Sequence, residues 1–315
     1  MRTRVVQDEP HQHSVTAVIS VEHMTKDFGT VRAVEDLSFT IEAGSVVGFL
    51  GPNGSGKTTT LRSVVGLVEP TSGSATVCGV RYAELKNPLT EVGVMLEAAA
   101  HPARTARNHL RIIAAEAGVP ASRADELLEL VDLGGAARRR VGGFSLGMHQ
   151  RLGIAAALVG DPGVLVLDEP ANGLDPEGIR WLRDFLRGLA SEGKTVLLSS
   201  HVLSEVAQTV DEVVVINHGR LVTHAPLEVL MDQAGQRVRL RSPQVDDLAA
   251  MLAARGLKAC RAAEDTLTVT GATTEELGTL AFDAGLVLFE LAADASSLED
   301  VFFDLTTTPV PEVSA

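Results

Sequence analysis

Apolar residues are arranged in two different ways along this chain. Short uninterrupted runs stand at Val46–Leu50, Val164–Leu167, Val196–Leu198 and Val213–Ile216. Runs without polar alternation are the pattern of strands buried on both faces of a parallel sheet. Val18–Val21 and Leu37–Ile41 read as further strands. Between Val92 and Leu158 the pattern turns helical. The segments "RTARNHLRIIAAEAG", "SRADELLELV" and "GMHQRLGIAAALV" are rich in Ala, Leu, Glu and Arg, and are broken by Gly118, Pro120 and Gly134–Gly135. This predicts a helical insert over about residues 97–160. Strand and helix then alternate again, with helices expected at Glu177–Ala190 and Leu203–Thr209, which is the grammar of an α/β fold around a mostly parallel sheet.

Past Gly235 the grammar changes. A strand at Val238–Leu240, a helix at Val245–Ala254, strands at Leu257–Cys260 and Leu267–Val269, a helix at Thr274–Ala284 and a strand at Leu286–Leu291 give the order βαββαβ. That order predicts a small α+β domain of ferredoxin-like type, followed by a last helix over "SLEDVFFDLT". The expected division is a disordered extension at 1–15, an α/β domain at 16–233 and an accessory domain at 234–315.

Composition narrows the possibilities. With 315 residues, 45% of them hydrophobic, the chain can bury a large core. Its apolar runs fall far short of the roughly 20 residues of a membrane helix, and its first residues show no apolar block of a secretion signal, so the expected location is cytoplasmic. Cys78 and Cys260 stand far apart in no metal-like spacing and are expected to be buried, reduced and structural. A net charge of −14 opposes contact with a phosphate backbone. The one basic cluster, "ARRRVGG" at Ala137–Gly143, reads as a solvated helix end or loop, and nucleic acid is not an expected partner.

Candidate chemistry begins with "GPNGSGKTT". Gly51, Pro52, Asn53, Gly54, Ser55, Gly56, Lys57, Thr58 and Thr59 follow an apolar strand and open a helix. Gly51, Gly56, Lys57 and Thr58 satisfy G-x-x-x-x-G-K-[ST]. The glycines let backbone N–H groups wrap phosphates at a helix N-terminus, Lys57 reaches the β- and γ-phosphates, and Thr58 holds Mg²⁺. "VLVLDEP" at Val164–Pro170 ends a buried strand with adjacent carboxylates, so Asp168 suits a metal partner and Glu169 a general base.

Between these motifs stands "FSLGMHQRLGIAAAL", and here the chain resembles the ATP-binding subunits of ABC transporters. At the place of their LSGGQ signature stand Phe144, Ser145, Leu146, Gly147 and Met148, which keep the serine and the second glycine but not the first glycine or the glutamine. The resemblance implies that Ser145 and Gly147 face the γ-phosphate across a dimer; by itself, Ser145 also reads as an N-cap of the helix it begins. "NGLDP" resembles the family's D-loop at Asp175 and Pro176, and "LLSSH" places His201 at its switch histidine. Asp175 followed by Pro176 also reads as an N-cap with Pro at the first helical position, and His201 as a locally bonded strand-end histidine. "KDFGTVRAVEDLSF" resembles the segment that supplies an aromatic to stack on adenine, which is Phe28. Stacking is tolerant of the base, so this feature leaves GTP open.

Where the family has its Q-loop glutamine, "VGVMLEAAAHP" offers Glu97, placed here as a further candidate metal contact. Glu97, the S-L-G-M signature and "SLEDVFFDLT" resemble the branch serving ABC-2-type exporters of drugs and peptide antibiotics. The resemblance implies a cytoplasmic ATPase with ATP and Mg²⁺ as cofactors, a homodimer on ATP binding, and an integral membrane permease that holds it at the inner face of the cell membrane. Direction of transport comes from the resemblance alone. The alternative is a soluble ABC-type ATPase of a non-transport machine, which normally carries fused cassettes, a long coiled coil or zinc-binding insertions. A kinase or GTPase lacks the S-x-G segment and the histidine after the second motif.

Overall fold

The computed structural model describes residues 17–202, 208–233 and 237–294. The expected N-terminal extension, most of the helix expected at Leu203–Thr209 and the closing "SLEDVFFDLT" segment lie outside these residues.

Strand β1 (Ala17–Phe28), β2 (Val31–Glu42) and β4 (Ser72–Val77) form an antiparallel sheet in the order β2-β1-β4. A second, six-stranded sheet runs β5-β6-β7-β3-β8-β9, built from β3 (Val46–Leu50), β5 (Val92–Met95), β6 (Val164–Leu167), β7 (Thr195–Ser200), β8 (Glu212–Asn217) and β9 (Arg220–Pro226). All its pairs are parallel except β8 with β9. Every residue of β3, β6 and β7 is buried, which is why these strands read as unbroken apolar runs: both faces are covered. Phe39 of β2 and Phe49 of β3, 5.5 Å apart between ring centroids, join the two sheets in one core.

The helical insert is present, but it starts later than the sequence pattern suggests. Val92–Met95 is β5, an edge strand paired in parallel with β6. Helices α1 (Lys57–Val64) and α2 (Pro88–Glu91) precede it, and α3 (Ala106–Ala117), α4 (Arg123–Leu130) and α5 (Leu146–Ala157) make the insert. Thr105 caps α3 by accepting from Asn108 N at 3.2 Å, and Gly118, with φ of 72°, ends it. Leu110, Leu127, Leu128 and Leu152 are fully buried between these helices. Leu127→Ala is expected to cost about 2–5 kcal/mol through lost transfer energy and a residual cavity, seen as faster amide exchange throughout α3–α5. "ARRRVGG" is a turn running into a short 3₁₀ segment at Val141–Gly143, with Arg138, Arg139 and Arg140 exposed as expected but Ala137 and Val141 buried.

Among the described residues two helices follow, α6 (Pro176–Ser191) and α7 (Leu227–Gln233). The C-terminal unit then runs β10 (Arg237–Arg241), α8 (Val245–Ala254), β11 (Lys258–Ala263), β12 (Thr266–Thr270), α9 (Thr274–Asp283) and β13 (Glu290–Asp294). This is the expected βαββαβ order, and its sheet is antiparallel throughout in the order β11-β12-β10-β13. The last strand begins later than Leu286, because Leu286 and Leu288 pack on the core from an extended connection and Phe289 N donates to the Arg241 carbonyl at 2.7 Å. A separate cluster around Val238, Leu240, Leu248, Leu252 and Leu277 forms this unit's own core.

The two cysteines depart from expectation. Both are free and exposed. Cys78 occupies a turn after β4 with φ of 52°, and Cys260 lies on β11, an outer strand whose residues are mostly exposed.

Candidate active site

Because β5, β6, β7 and β3 are parallel neighbours, their carboxyl ends lie on one edge of the sheet. That edge is where open α/β sheets bind ligands. It collects Glu97 beyond β5, Asp168 and Glu169 beyond β6, Ser199–His201 at the end of β7, and the Gly51–Thr59 loop beyond β3.

The loop is shaped by close approach. A Cβ at Gly51 would run into Ser55 Oγ and the Ile216 carbonyl, and one at Gly56, whose φ is 103°, would strike the Ala33 carbonyl. Gly219 N, in the turn between β8 and β9, donates to the Ser55 carbonyl at 2.9 Å and braces the loop from outside. No side chain caps α1, so its N-terminal N–H groups are offered to an anion. Lys57 is only 6% exposed, and its Nζ donates to the Gly51 carbonyl at 2.6 Å and to the Pro52 carbonyl at 3.3 Å. Burial pushes its pKa below the ordinary lysine value, opposed by the charges of Glu169 and Asp168.

The carboxylates are fixed by neighbours on either side. Asp168 N donates to the Met95 carbonyl at 2.7 Å. Thr58 Oγ1 donates to Asp168 Oδ2 at 2.9 Å, and Ser199 Oγ donates to Asp168 Oδ1. The same Ser199 oxygen accepts from Glu169 N at 2.9 Å. Glu169 has φ of 49°, a left-handed conformation uncommon outside glycine and frequent at functional sites. Its Oε2 lies 2.8 Å from His201 Nδ1, so an Nδ1–H donates to the carboxylate.

A family model for the ABC transporter matches residues 34–172. Bacitracin transport ATP-binding protein BcrA of Bacillus licheniformis is 42% identical over 220 residues, covering 69% of this chain and 72% of that protein. The chain belongs to the ABC transporter ATP-binding family. An uncharacterized ABC transporter ATP-binding protein of Bacillus subtilis, YdbJ, is 33% identical over 296 residues, 92% of this chain and 96% of that one. A solved structure described as the ATP binding subunit of an ABC transporter superposes with a TM-score of 0.62 at 27% identity, covering 69% of this chain and 92% of its own. A second model, Domain of unknown function (DUF8746), matches residues 236–299. The chain is accordingly an ABC ATPase that binds ATP.

In this ABC subunit the other expected residues are placed as follows. Ser145 is the N-cap of α5, its hydroxyl accepting from Met148 N at 3.3 Å, and Ser145 and Leu146 are exposed. Asp175 caps α6 by accepting from Gly178 N at 2.8 Å, with Pro176 at the first helical position. Phe28 is 51% exposed at the end of β1, with Lys26 Nζ over its ring at 5.0 Å from the centroid. Glu97 is paired with Arg62 of α1 at 3.1 Å, while Thr58 and Asp168 contact each other. Glu97, Asp168 and Glu169 line an open cleft of about 550 Å³ together with Gln150 and Asn172.

Sequence reasoning missed Ser199, Arg62 and the Gly219 brace. "LLSSH" holds the signal for Ser199, since a hydroxyl at the end of a strand beside Asp168 can bridge both carboxylate residues. Neither Arg62 nor Gly219 has a local pattern that points to the site.

Proposed function

We propose that this chain is the ATP-hydrolysing subunit of an exporter in the drug and peptide-antibiotic branch. Residues 16–233 form the ATPase domain and residues 234–315 an accessory domain. Two copies close head-to-tail around two Mg-ATP and work a separate membrane-spanning permease, which holds them at the inner face of the cell membrane. The observation that carries this reading is the end of α5, with Ser145 and Leu146 exposed and Gly147 half-buried beside them: a helix N-terminus open to solvent suits the phosphate of another chain's ATP.

The donor set at the phosphate edge fits Mg²⁺. Thr58 and Asp168 supply two hard oxygen atoms already in contact, and among the described residues no group of three or more His, Cys, Asp or Glu could hold a metal alone. Magnesium commonly takes few protein ligands and completes its shell with phosphate and water. When bound there, it would neutralise charge on the β- and γ-phosphates.

The residues then divide the work. Lys57 exchanges the Gly51 and Pro52 carbonyls for phosphate oxygens, and Glu169, held by His201, orients the attacking water and takes its proton. Phe28 stacks on the base. Asp175 and Pro176 lie at the dimer seam. Closure is a population shift toward the state that binds ATP better, and the insert beside Glu97 carries the motion to the permease.

Among the described residues no helix is long and apolar enough to cross a membrane. Affinity purification of the tagged chain from detergent-solubilised membranes is expected to recover an integral membrane protein in fixed ratio. Recovery with ribosomes, or with no membrane protein, would instead support a non-transport ABC machine.

A further inference from the structure

The first turns of α5 rest on the loop that follows Glu169. Leu146 covers Gly173, where φ is 77° and any Cβ would collide with the leucine side chain. Gly147 lies against Leu174. One turn further on, Gln150 is only 8% exposed and its Nε2 donates to the Asn172 carbonyl at 3.1 Å. Its Oε1 is buried without a partner. Asn172 N in turn donates to the Glu169 carbonyl at 3.1 Å.

A buried amide with one orphaned oxygen is a poor source of stability, because the unmet acceptor offsets much of what the donor bond gains. What the arrangement does supply is a short connection between two places with different partners. At one end are Ser145, exposed as the N-cap of α5, and half-buried Gly147. At the other is Glu169, which serves that loop. Hydrogen bond and steric contact run between them without a flexible segment.

We propose that Gln150 is a positioning residue that links the two nucleotide sites of a dimer. Phosphate captured by the α5 end of one chain sets the Asn172–Glu169 turn of that same chain, whose base acts on the other ATP. The inference rests on the dimer reading above. Gln150 supplies neither a base nor a metal ligand in this reading; it acts through its bond to the Asn172 carbonyl.

The test is Gln150→Met in the full-length chain, which keeps the length of the side chain, deletes the donor and removes the orphaned oxygen. Expected are unchanged thermal stability, an unchanged Kd for Mg-ATP at protein concentrations too low for dimers, and ATP-dependent dimerisation retained in the Glu169→Gln background. Against these, kcat falls about tenfold, the loss of roughly one positioned hydrogen bond, and the Hill coefficient for ATP hydrolysis falls toward 1. A Hill coefficient equal to that of wild type, with dimerisation intact, overturns the proposal. So does a fall in kcat that is matched by a fall in thermal stability with cooperativity unchanged, which marks Gln150 as packing. If Glu169→Gln forms no dimer with Mg-ATP, the dimer reading itself fails and takes this inference with it.

Discussion

Glu169→Gln lowers ATP turnover by about 10²–10⁴-fold, the usual worth of a positioned general base, while leaving Mg-ATP binding in place. Geometry separates the two effects. Gln has the size of Glu, and its amide oxygen still accepts from His201 Nδ1–H. The Glu169 N–H still donates to Ser199, and Asp168 keeps both of its hydroxyl partners. Only proton acceptance is lost. The ATP-bound closed dimer therefore accumulates, and size-exclusion with light scattering shows a doubled mass when Mg-ATP is added. Adding Ser145→Arg places a long cation at the α5 end, beyond every contact of the phosphate loop, and returns the mass to that of a monomer without weakening ATP binding. A Glu169→Gln protein that binds ATP yet stays monomeric would sink the closed-dimer mechanism for the isolated subunit. An ATP-induced dimer unaffected by Ser145→Arg would sink the signature assignment.

Lys57→Ala abolishes turnover and weakens nucleotide binding by about 2–5 kcal/mol, the range for truncating one partner of a buried charge pair. The lysine is held under the loop by two carbonyls, poor exchange for a hydrated ammonium, and burial disfavours its charge. Phosphate oxygens relieve that deficit, so much of the ammonium's attraction is released only when nucleotide arrives. Equilibrium binding of a fluorescent ATP analogue measures the loss, and phosphate release measures the turnover. Unchanged turnover would remove the phosphate-loop assignment. Thermal stability without nucleotide should remain close to wild type, because Ala removes a buried cation along with its two hydrogen bonds.

What could be read in the sequence was whatever is encoded locally. The Gly51–Thr58 spacing, the Asp168–Glu169 strand end, the cap at Ser145 and the Asp175–Pro176 helix start each depend on neighbours within a few positions, and each recurs in the structure as a contact. The unbroken apolar strands were equally legible, since burial on both faces erases alternation. β4 and β9 were not. Ser72–Val77 and Arg220–Pro226 mix small and polar residues with half-exposed positions, and they are strands because β1 and β8 offer them ladders. β5 was hidden by its length, four residues beside a long helical pattern. At the site, Arg62, Ser199 and Gly219 act through partners 35, about 30 and more than 150 positions away. Such pairings exist only once the sheet order is known. The cysteines were misjudged because a frequently buried residue type was assumed to follow its average, whereas a turn and an outer strand decided the matter.

The place of β3 in its sheet also says when this enzyme can first work. β3 pairs with β7 and β8, and Val46 N donates to the Asp211 carboxylate, 165 positions further along. A ribosome must therefore deliver Asp211 before the strand carrying the phosphate loop is enclosed on both sides. Closure over such sequence separations is slow compared with local helix formation, so α3–α5 can form while the loop still lacks its brace at Gly219 and its base. Nascent or truncated chains that stop before β7 lack His201 and the Ser199 bridge, and pulse-chase during synthesis should show ATP-agarose retention only after release of this late segment. On that expectation, unfinished subunits turn over no ATP, because the strand order completes the site last.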